Sequence, residues 1–295
     1  MSGRFRHFAA IDWSGAAGER HLGLVIGMCE ARGGPPRIVR PGHRWSRPEV
    51  LQWLAVEMPP DTLVGLDLGL SLPFVDCGAY FPGWDRSPPD AKSLWALVDE
   101  ICDGDNHLAA ASFVDHPVAS RYFRRHGGRE GPLFHLGEAQ DRRGRMRCTE
   151  LSQAMQLRCN PVSNFNLVGA AQVGKASLTG MRLLHRLQGN LPIWPMDPLP
   201  QRGSVLVEIY TAIPAIAAGR RAGRAKIRSF EDLDGALAAL GSPGLAGSGP
   251  LDDHRADALL TCAWLRGVAE DSSLWAPVGL TPALATTEGW TFGVP

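Results

Sequence analysis

The sequence predicts an α/β fold in which a mixed five-stranded sheet is flanked by helices and carries a large, mainly helical and irregular insertion. Short runs rich in apolar and β-branched residues predict the strands, and longer segments with apolar residues three and four apart predict the helices. Their order is three strands with short connections, then a helix and a fourth strand. This order indicates an antiparallel meander that leads into a helix-connected strand.

Five segments are predicted to form strands: residues 5–12, 21–29, 37–40, 62–67 and 204–210. Gly33-Gly34-Pro35-Pro36 is predicted to be a turn before the third strand, because glycine and proline are frequent in turns. The stretch Pro192–Pro198 is predicted to be an extended connector.

Helices are predicted for the remaining periodic segments. Ser46 is the expected N-cap of the first helix, which Pro59-Pro60 ends. The later helices are predicted at residues 90–102, 151–157, 174–187, from Pro214 onward, 230–240 and 251–269. Residues 1–73 and 201–295 are predicted to form the core domain. Residues 74–200 are predicted to be an insertion that acts as a lid or substrate-binding subdomain.

Composition narrows the classes of function. The formal net charge is zero and 20% of residues are charged, so nucleic-acid binding would need a local basic patch. No apolar run approaches the roughly 20 residues that span a bilayer. The chain starts directly with a strand rather than a signal segment, and its six cysteines form no CxxC pair. These features predict a cytoplasmic protein with reduced thiols and no membrane association. No obligate protein partner is inferred.

Two strand-like runs each end in an acidic residue. Asp12 closes His7–Asp12 and Asp67 closes Thr62–Asp67. The carboxyl ends of strands are where open α/β sheets bind ligands, and carboxylates that converge there repel one another unless a cation is present. Oxygen ligands suit Mg²⁺ or Mn²⁺. Each aspartate is equally open to interpretation as a turn residue.

A third acidic group opens the last long helix, within Asp252-Asp253-His254-Arg255-Ala256-Asp257. The helix's own apolar residues cover nearly every side of it, so the helix is predicted to be buried. A buried carboxylate such as Asp257 then needs a partner or a metal. Asp253 lies four residues earlier on the same face. Asp252 is interpreted as a helix cap. His254 is either a ligand, a proton carrier or a polar surface residue.

Glu208 lies inside the fifth strand, on the face of Leu206. A charge in a central strand indicates either a metal or substrate site, or a buried pair with an arginine.

Arginine and glycine are concentrated between Arg121 and Arg147. This stretch is open to two interpretations, a phosphate-contact surface or a solvated loop. The candidate substrate-binding residues are Arg121, Arg124, Arg125, Arg142 and Arg143.

Several motifs resemble the domain-of-unknown-function 429 family of predicted nucleases with a ribonuclease H-like fold. They are AAIDWSG, VGLDLGLSLP, VEIYTAIPA, DDHRADALLTCAW and TEGWTFGVP, all within residues 5–73 and 204–295, with a less specific match at VGAAQVGKASLTGM. The resemblance implies that Asp12, Asp67 and Asp257 form an acidic site, with Glu208 and Asp253 nearby. A neutral chain is unusual for a nuclease.

The expected activity is metal-assisted phosphodiester hydrolysis on a nucleic acid. Asp12 is expected to bridge two Mg²⁺ or Mn²⁺ ions, Asp67 and Asp257 to hold one each, Asp253 to complete the metal set, and Glu208 to join the catalytic residues. One alternative is a phosphotransferase of the sugar kinase and actin class, to whose phosphate loop Asp12-Trp13-Ser14-Gly15 is a loose match. The other is a catalytically inactive module that binds metal or nucleic acid.

Overall fold

The structure is a computed structural model that describes residues 3–137, 139, 144–169, 173–221 and 226–295. Its strands are β1 (His7–Asp12), β2 (Val25–Glu30), β3 (Gly33–Ile38), β4 (Thr62–Leu66), β5 (Arg124–Arg125), β6 (Arg129–Glu130), β7 (Ile193–Trp194) and β8 (Val205–Glu208). Six of these described strands form one sheet in the order β3-β2-β1-β4-β8-β7, and β5 and β6 form a separate ribbon.

The main sheet is mixed. β1, β2 and β3 pair antiparallel, whereas β1, β4, β8 and β7 pair parallel. The α/β class with a mixed, helix-flanked sheet is therefore confirmed, but the predicted count of five strands is wrong. The sixth strand is Ile193–Trp194, which the sequence predicted to be a connector and which pairs with Leu206 and Val207.

The predicted Gly-Pro turn at residues 33–36 is also wrong, because these residues begin β3. The strand lies at the edge of the sheet, where prolines that lack an N–H group are tolerated. Gly33 and Gly34 have φ values of 100° and 86°, and the β2–β3 register shifts between Met28 and Glu30. Glycine at these positions permits the irregular pairing.

The helices are α1 (Arg47–Gln52), α2 (Ala91–Ile101), α3 (Ala111–Val114), α4 (Cys148–Gln156), α5 (Val173–Leu187), α6 (Ala212–Ala217), α7 (Phe230–Ala239), α8 (Asp253–Val268), α9 (Ser272–Trp275) and α10 (Pro282–Thr287). Short 3₁₀ turns occur at Asn106–Leu108 and Ala119–Tyr122, and α1 continues as a π-helical turn at Trp53–Glu57. Ser46 caps α1 as predicted, in a capping box with Glu49. None of the described helices combines the length and apolarity that crossing a bilayer requires.

Helices cover both faces of the sheet. On one face, Ile11 and Leu66 belong to the same core as Leu94 of α2 and Leu184 of α5. On the other face, α8 packs across β1 and β2. Gly27 of β2 makes this approach possible, since a Cβ there would lie 2.5 Å from the carbonyl oxygen of Ala258.

The segment of residues 74–200 shares the core of the sheet. Its helices α2 and α5 pack against each other, and its strand β7 completes the sheet. Whether it acts as a lid or substrate-binding subdomain remains a prediction.

A buried ion-pair network joins α4 and the carboxyl-terminal segment to β8. Arg147 donates to both carboxylate oxygens of Glu208, at 2.8 and 2.6 Å, to Glu150 at 2.8 Å and to the carbonyl of Glu288 at 3.0 Å. Glu208 also accepts from the backbone N–H of Leu70 at 2.8 Å. One guanidinium group thus compensates two buried carboxylates and fixes the loop after β4.

Replacing Arg147 with methionine should lower the free energy of unfolding by about 3–5 kcal/mol, because two buried carboxylates would be left without a compensating cation. The matched control is Arg86→Met, which breaks an exposed pair with Glu100 and should cost less than about 1 kcal/mol. Urea denaturation measures both. Equal losses would mean that the Arg147 network adds no more than a surface pair.

Candidate functional site

Asp12 and Asp67 lie side by side at the carboxyl ends of β1 and β4. Ile11 and Leu66 are register partners in the parallel pair, and the Asp67 N–H donates to the Ile11 carbonyl at 3.0 Å. The two aspartates are the next pair along, so their backbones are about 5 Å apart, the usual spacing of paired strands. Side chains alternate along a strand, so Asp12 points to the same face as Ala10, on the side of α8.

α8 brings a third carboxylate and a histidine to this position. The Nδ1 of His254 donates to Oδ2 of Asp12 at 2.6 Å, since an ionised carboxylate only accepts. Asp257 lies one turn further along α8. Asp12 is 8% exposed, whereas half of the His254 side chain is exposed. The sequence left the role of His254 open, although its spacing from Asp257 would have placed it on the same helix face.

Burial and neighbouring negative charges raise the pKa of all three aspartates. Burial raises the pKa of Asp67 well above its ordinary value, and the nearby charges of Asp12, Asp257 and Glu208 raise it further. Burial and the charge of Asp12 raise the pKa of Asp257 to about 7. Burial also raises the pKa of Asp12, against the hydrogen bond from His254. The structure therefore brings Asp12, Asp67 and Asp257 together in a crowded, poorly hydrated centre.

A cavity of about 480 Å³ opens beside this centre. Its walls include residues 13–16 after β1, residues 67–69 after β4, residues 208–210 at the end of β8, and parts of residues 147–176. Asp67 and His254 both line it. It therefore lies where the parallel strands end, next to the acidic groups.

Glu208 occupies the opposite face of the sheet from Asp12. It is in register with Leu66, so it points with Leu66 toward α2 and α5, and both of its oxygens are bonded to Arg147. Of the two interpretations open from the sequence, its contacts match the buried pair with an arginine. Its charge still raises the pKa of Asp67.

Asp253 does not join the central acids by direct contact. Its carboxylate accepts from Lys226 and lies 3.7 Å from Arg228, and the hydrogen bond from Lys226 lowers its pKa. Asp252 caps α8 by accepting from the Arg255 N–H at 2.9 Å, as predicted. Asp253 therefore lies in a surface ion pair near the site.

The described members of the predicted substrate arginines, Arg121, Arg124 and Arg125, do not line the cavity beside Asp67. Arg125 pairs with Asp115 at 2.9 Å and Arg124 with Glu130 at 3.7 Å, while Arg121 is exposed. Arg124 lines a second, larger cavity of about 1290 Å³, which shares Glu150 with the first. Arg142 and Arg143 lie outside the described residues.

The two arginines that follow in this stretch have a different role. Arg145 and Arg147 are each 1% exposed. Arg145 bonds to Asp76 at 2.8 Å and to the carbonyl of Tyr80 at 2.7 Å. Arg145 and Arg147 belong neither to a solvated loop nor to a phosphate-contact surface, because both side chains are bonded to partners inside the protein. Sequence spacing carried no signal of the partners Asp76 and Glu208, which are more than 60 residues away from Arg145 and Arg147.

The described residues contain no group of three or more His, Cys, Asp and Glu side chains already arranged to hold a metal ion. Asp12, which belongs to the acidic centre, is engaged by His254.

Comparisons with protein-family models, curated proteins and solved structures find no match for this chain. The resemblance to the domain-of-unknown-function 429 family therefore stays a prediction.

The raised pKa of Asp257 predicts how stability depends on pH without divalent ions. Its folded pKa of about 7 exceeds the ordinary value of about 4, so the folded state binds the proton more readily. The free energy of unfolding should then fall as pH rises from about 4 to about 7, by up to about 1.4 kcal/mol per pH unit for this group. Urea denaturation in chelator at several pH values measures the slope.

Asp257→Asn should make this slope shallower. Part of the slope should remain, because the hydrogen bond to Asp12 raises the pKa of His254, and the stability that His254 adds at low pH is lost as pH rises through that pKa. Asp271→Asn is the control, since hydrogen bonds from Ser273 lower the pKa of Asp271. It should leave the slope above pH about 5 unchanged. Identical slopes in wild type and Asp257→Asn would contradict the raised pKa.

Proposed function

We propose that this chain is a divalent-metal-dependent phosphodiester hydrolase of the ribonuclease H-like type, acting on a nucleic acid. The observation that carries the proposal is the placement of Asp12, Asp67 and Asp257. They lie at the carboxyl ends of two central parallel strands and on the helix facing them, and the charge of Asp12 raises the pKa of both Asp67 and Asp257. Such a centre is costly unless it binds protons or cations.

The donor chemistry of the centre fits Mg²⁺ or Mn²⁺. Both ions prefer carboxylate and water oxygens, and the three aspartates would be their protein ligands. The absence of a preassembled group among the described residues means that Asp12 would exchange its bond to His254 for the ion. When bound, the metal would supply a water of lowered pKa and would stabilise developing negative charge.

The chain's own residues prepare this centre. His254 orients the Asp12 carboxylate from α8, and the backbone N–H of Thr211 hydrogen-bonds Asp67. Arg147 keeps Glu208 compensated on the other face, so the excess negative charge is concentrated in the three aspartates. The cavity beside Asp67 offers space for a substrate group.

A phosphotransferase of the sugar kinase and actin class is the second candidate. The observation that favours it is that residues 13–16, the loose match to a phosphate loop, line the cavity next to Asp67. The third candidate is a binding module without turnover.

Mg²⁺ or Mn²⁺ should stabilise the folded protein. An ion that binds only the folded state adds about 2.7 kcal/mol at 100 times its dissociation constant. Asp12→Asn should remove most of this gain, and should raise the melting temperature in chelator because it relieves repulsion. Asp252→Asn is the control, because asparagine also caps helices well. Thermal melting measures both variants, and equal metal responses in wild type and Asp12→Asn would exclude Asp12 as a ligand.

Turnover should require the same residues. With Mn²⁺ or Mg²⁺, the protein should cleave at least one member of a panel of single-stranded, duplex, hybrid and branched nucleic acids. Asp12→Asn and Asp67→Asn should each abolish cleavage, whereas Asp252→Asn should retain it. Metal binding with an intact panel would favour the binding module. Metal-dependent hydrolysis of a nucleoside triphosphate instead would favour the phosphotransferase.

A further inference from the structure

We infer that residues 13–16, which we name the 13–16 loop, form a phosphoryl-binding subsite in the cavity beside Asp67. The inference rests on the proposed function, because the subsite would hold the phosphoryl group against the divalent ion of the acidic centre. It assigns substrate contact to backbone next to β1 rather than to the arginines between Arg121 and Arg147.

The first observation is an uncompensated buried charge behind the loop. Arg47 is completely buried and donates to the carbonyls of Ser14 at 3.0 Å, His107 at 3.1 Å and Ala16. No carboxylate of the described residues lies within ion-pair distance of Arg47. Burial lowers its pKa to about 10, with a smaller effect from the like charge of Arg182. The guanidinium therefore still carries a positive charge near neutral pH.

The second observation is the direction of the loop's backbone groups. In a planar trans peptide the N–H group points opposite to the carbonyl. The carbonyl of Ser14 faces Arg47, so the N–H group of Gly15 points away from it. This N–H donates no hydrogen bond within the described part of the chain. A backbone donor of a residue that lines the cavity is thus available to an acceptor.

The third observation is that the cavity lies on the outer side of this loop. Residues 13–16 line the cavity, whereas Arg47 does not. The loop is anchored to α5, because Trp13 Nε1 donates to Thr179 at 3.0 Å. A Cβ on Gly15 would lie 2.4 Å from the Ala176 nitrogen and 2.8 Å from the Lys175 Cβ. The anchoring keeps the N–H group of Gly15 in place and brings the cationic Lys175 next to the loop.

The charges of the cavity determine what the subsite can bind. Asp67, Glu150 and Glu208 line it, and Arg147 compensates part of their charge. A phosphoryl group alone would meet this negative charge, so it should bind only together with a divalent ion at the acidic centre. The phosphoryl group would come either from a nucleic-acid strand or from a free phosphate or nucleotide, and both present the same oxygens.

The test measures melting temperature in chelator, in Mn²⁺ alone and in Mn²⁺ with one of three probes: inorganic phosphate, a nucleoside diphosphate or a short single-stranded oligonucleotide. Ala16→Asp places a negative charge on the cavity wall. Ala17→Asp is the matched control, because Ala17 is also exposed but does not line the cavity. Ala16→Asn separates the effect of charge from that of size.

At least one probe should add a shift beyond that of Mn²⁺ alone, and no probe should shift the protein in chelator. Ala16→Asp should keep the Mn²⁺ shift and bind the probe at least about tenfold more weakly, from repulsion between like charges. Ala17→Asp and Ala16→Asn should bind it like wild type. A response to the oligonucleotide alone identifies a strand phosphate, and a response to phosphate or the diphosphate identifies a free one.

Two results would overturn the inference. A Mn²⁺ shift with no further shift from any probe would exclude the subsite and leave the metal centre intact. Equal weakening by Ala16→Asp and Ala17→Asp would show a general charge effect rather than a subsite in the cavity. A protein that does not respond to Mn²⁺ at all would instead reject the proposed function, and the inference with it.

Discussion

The parallel pairing of β1 with β4 forces two carboxylates into the same poorly hydrated position, and the surrounding structure depends on that constraint. Asp12 and Asp67 directly follow Ile11 and Leu66, which are register partners in the sheet. Neither aspartate can therefore move away without disturbing the pairing of the two strands. α8 adds Asp257 to the same position instead of a compensating arginine or lysine. The cation in direct contact with Asp12 among the described residues is His254, when it is protonated.

The buried carboxylate on the opposite face of the sheet is compensated by a cation. Glu208 ends β8 only one strand away from Asp67, yet a bidentate arginine meets it. A compensated carboxylate of this kind holds α4, the loop after β4 and the carboxyl-terminal segment together. An uncompensated set raises the pKa of its members and makes the site responsive to protons and cations. Because Glu208 is compensated and the three aspartates are not, we interpret Glu208 as a structural residue and the aspartates as candidate functional residues.

The sequence predicted those features that depend on local pattern. The strand that ends at Asp12, the strand directly before Asp67, the cap at Ser46 and the helix that carries Asp257 all follow from short-range signals. The predictions were wrong where a residue distant in the sequence determines the local structure. The Gly-Pro segment became an edge strand because β2 lies beside it, and Ile193–Trp194 became a strand because β8 does. Likewise, Arg147 is a buried structural residue because it pairs with Glu208, which lies 61 positions away in the sequence.

The buried arginines fall into two groups, those that pair with a carboxylate and one that bonds to backbone carbonyls. Arg145, Arg147 and Arg182 each face a carboxylate, from Asp76, Glu208 and Asp99, so their charges are compensated within the fold. Arg47 is buried just as deeply, but its hydrogen bonds go to backbone carbonyls. Carbonyl dipoles solvate a cation without cancelling its charge. The remaining positive charge lies behind the loop that follows Asp12, and Asp67 of the acidic centre lines the same cavity as that loop. A ligand that combines an anionic group with a divalent cation complements both.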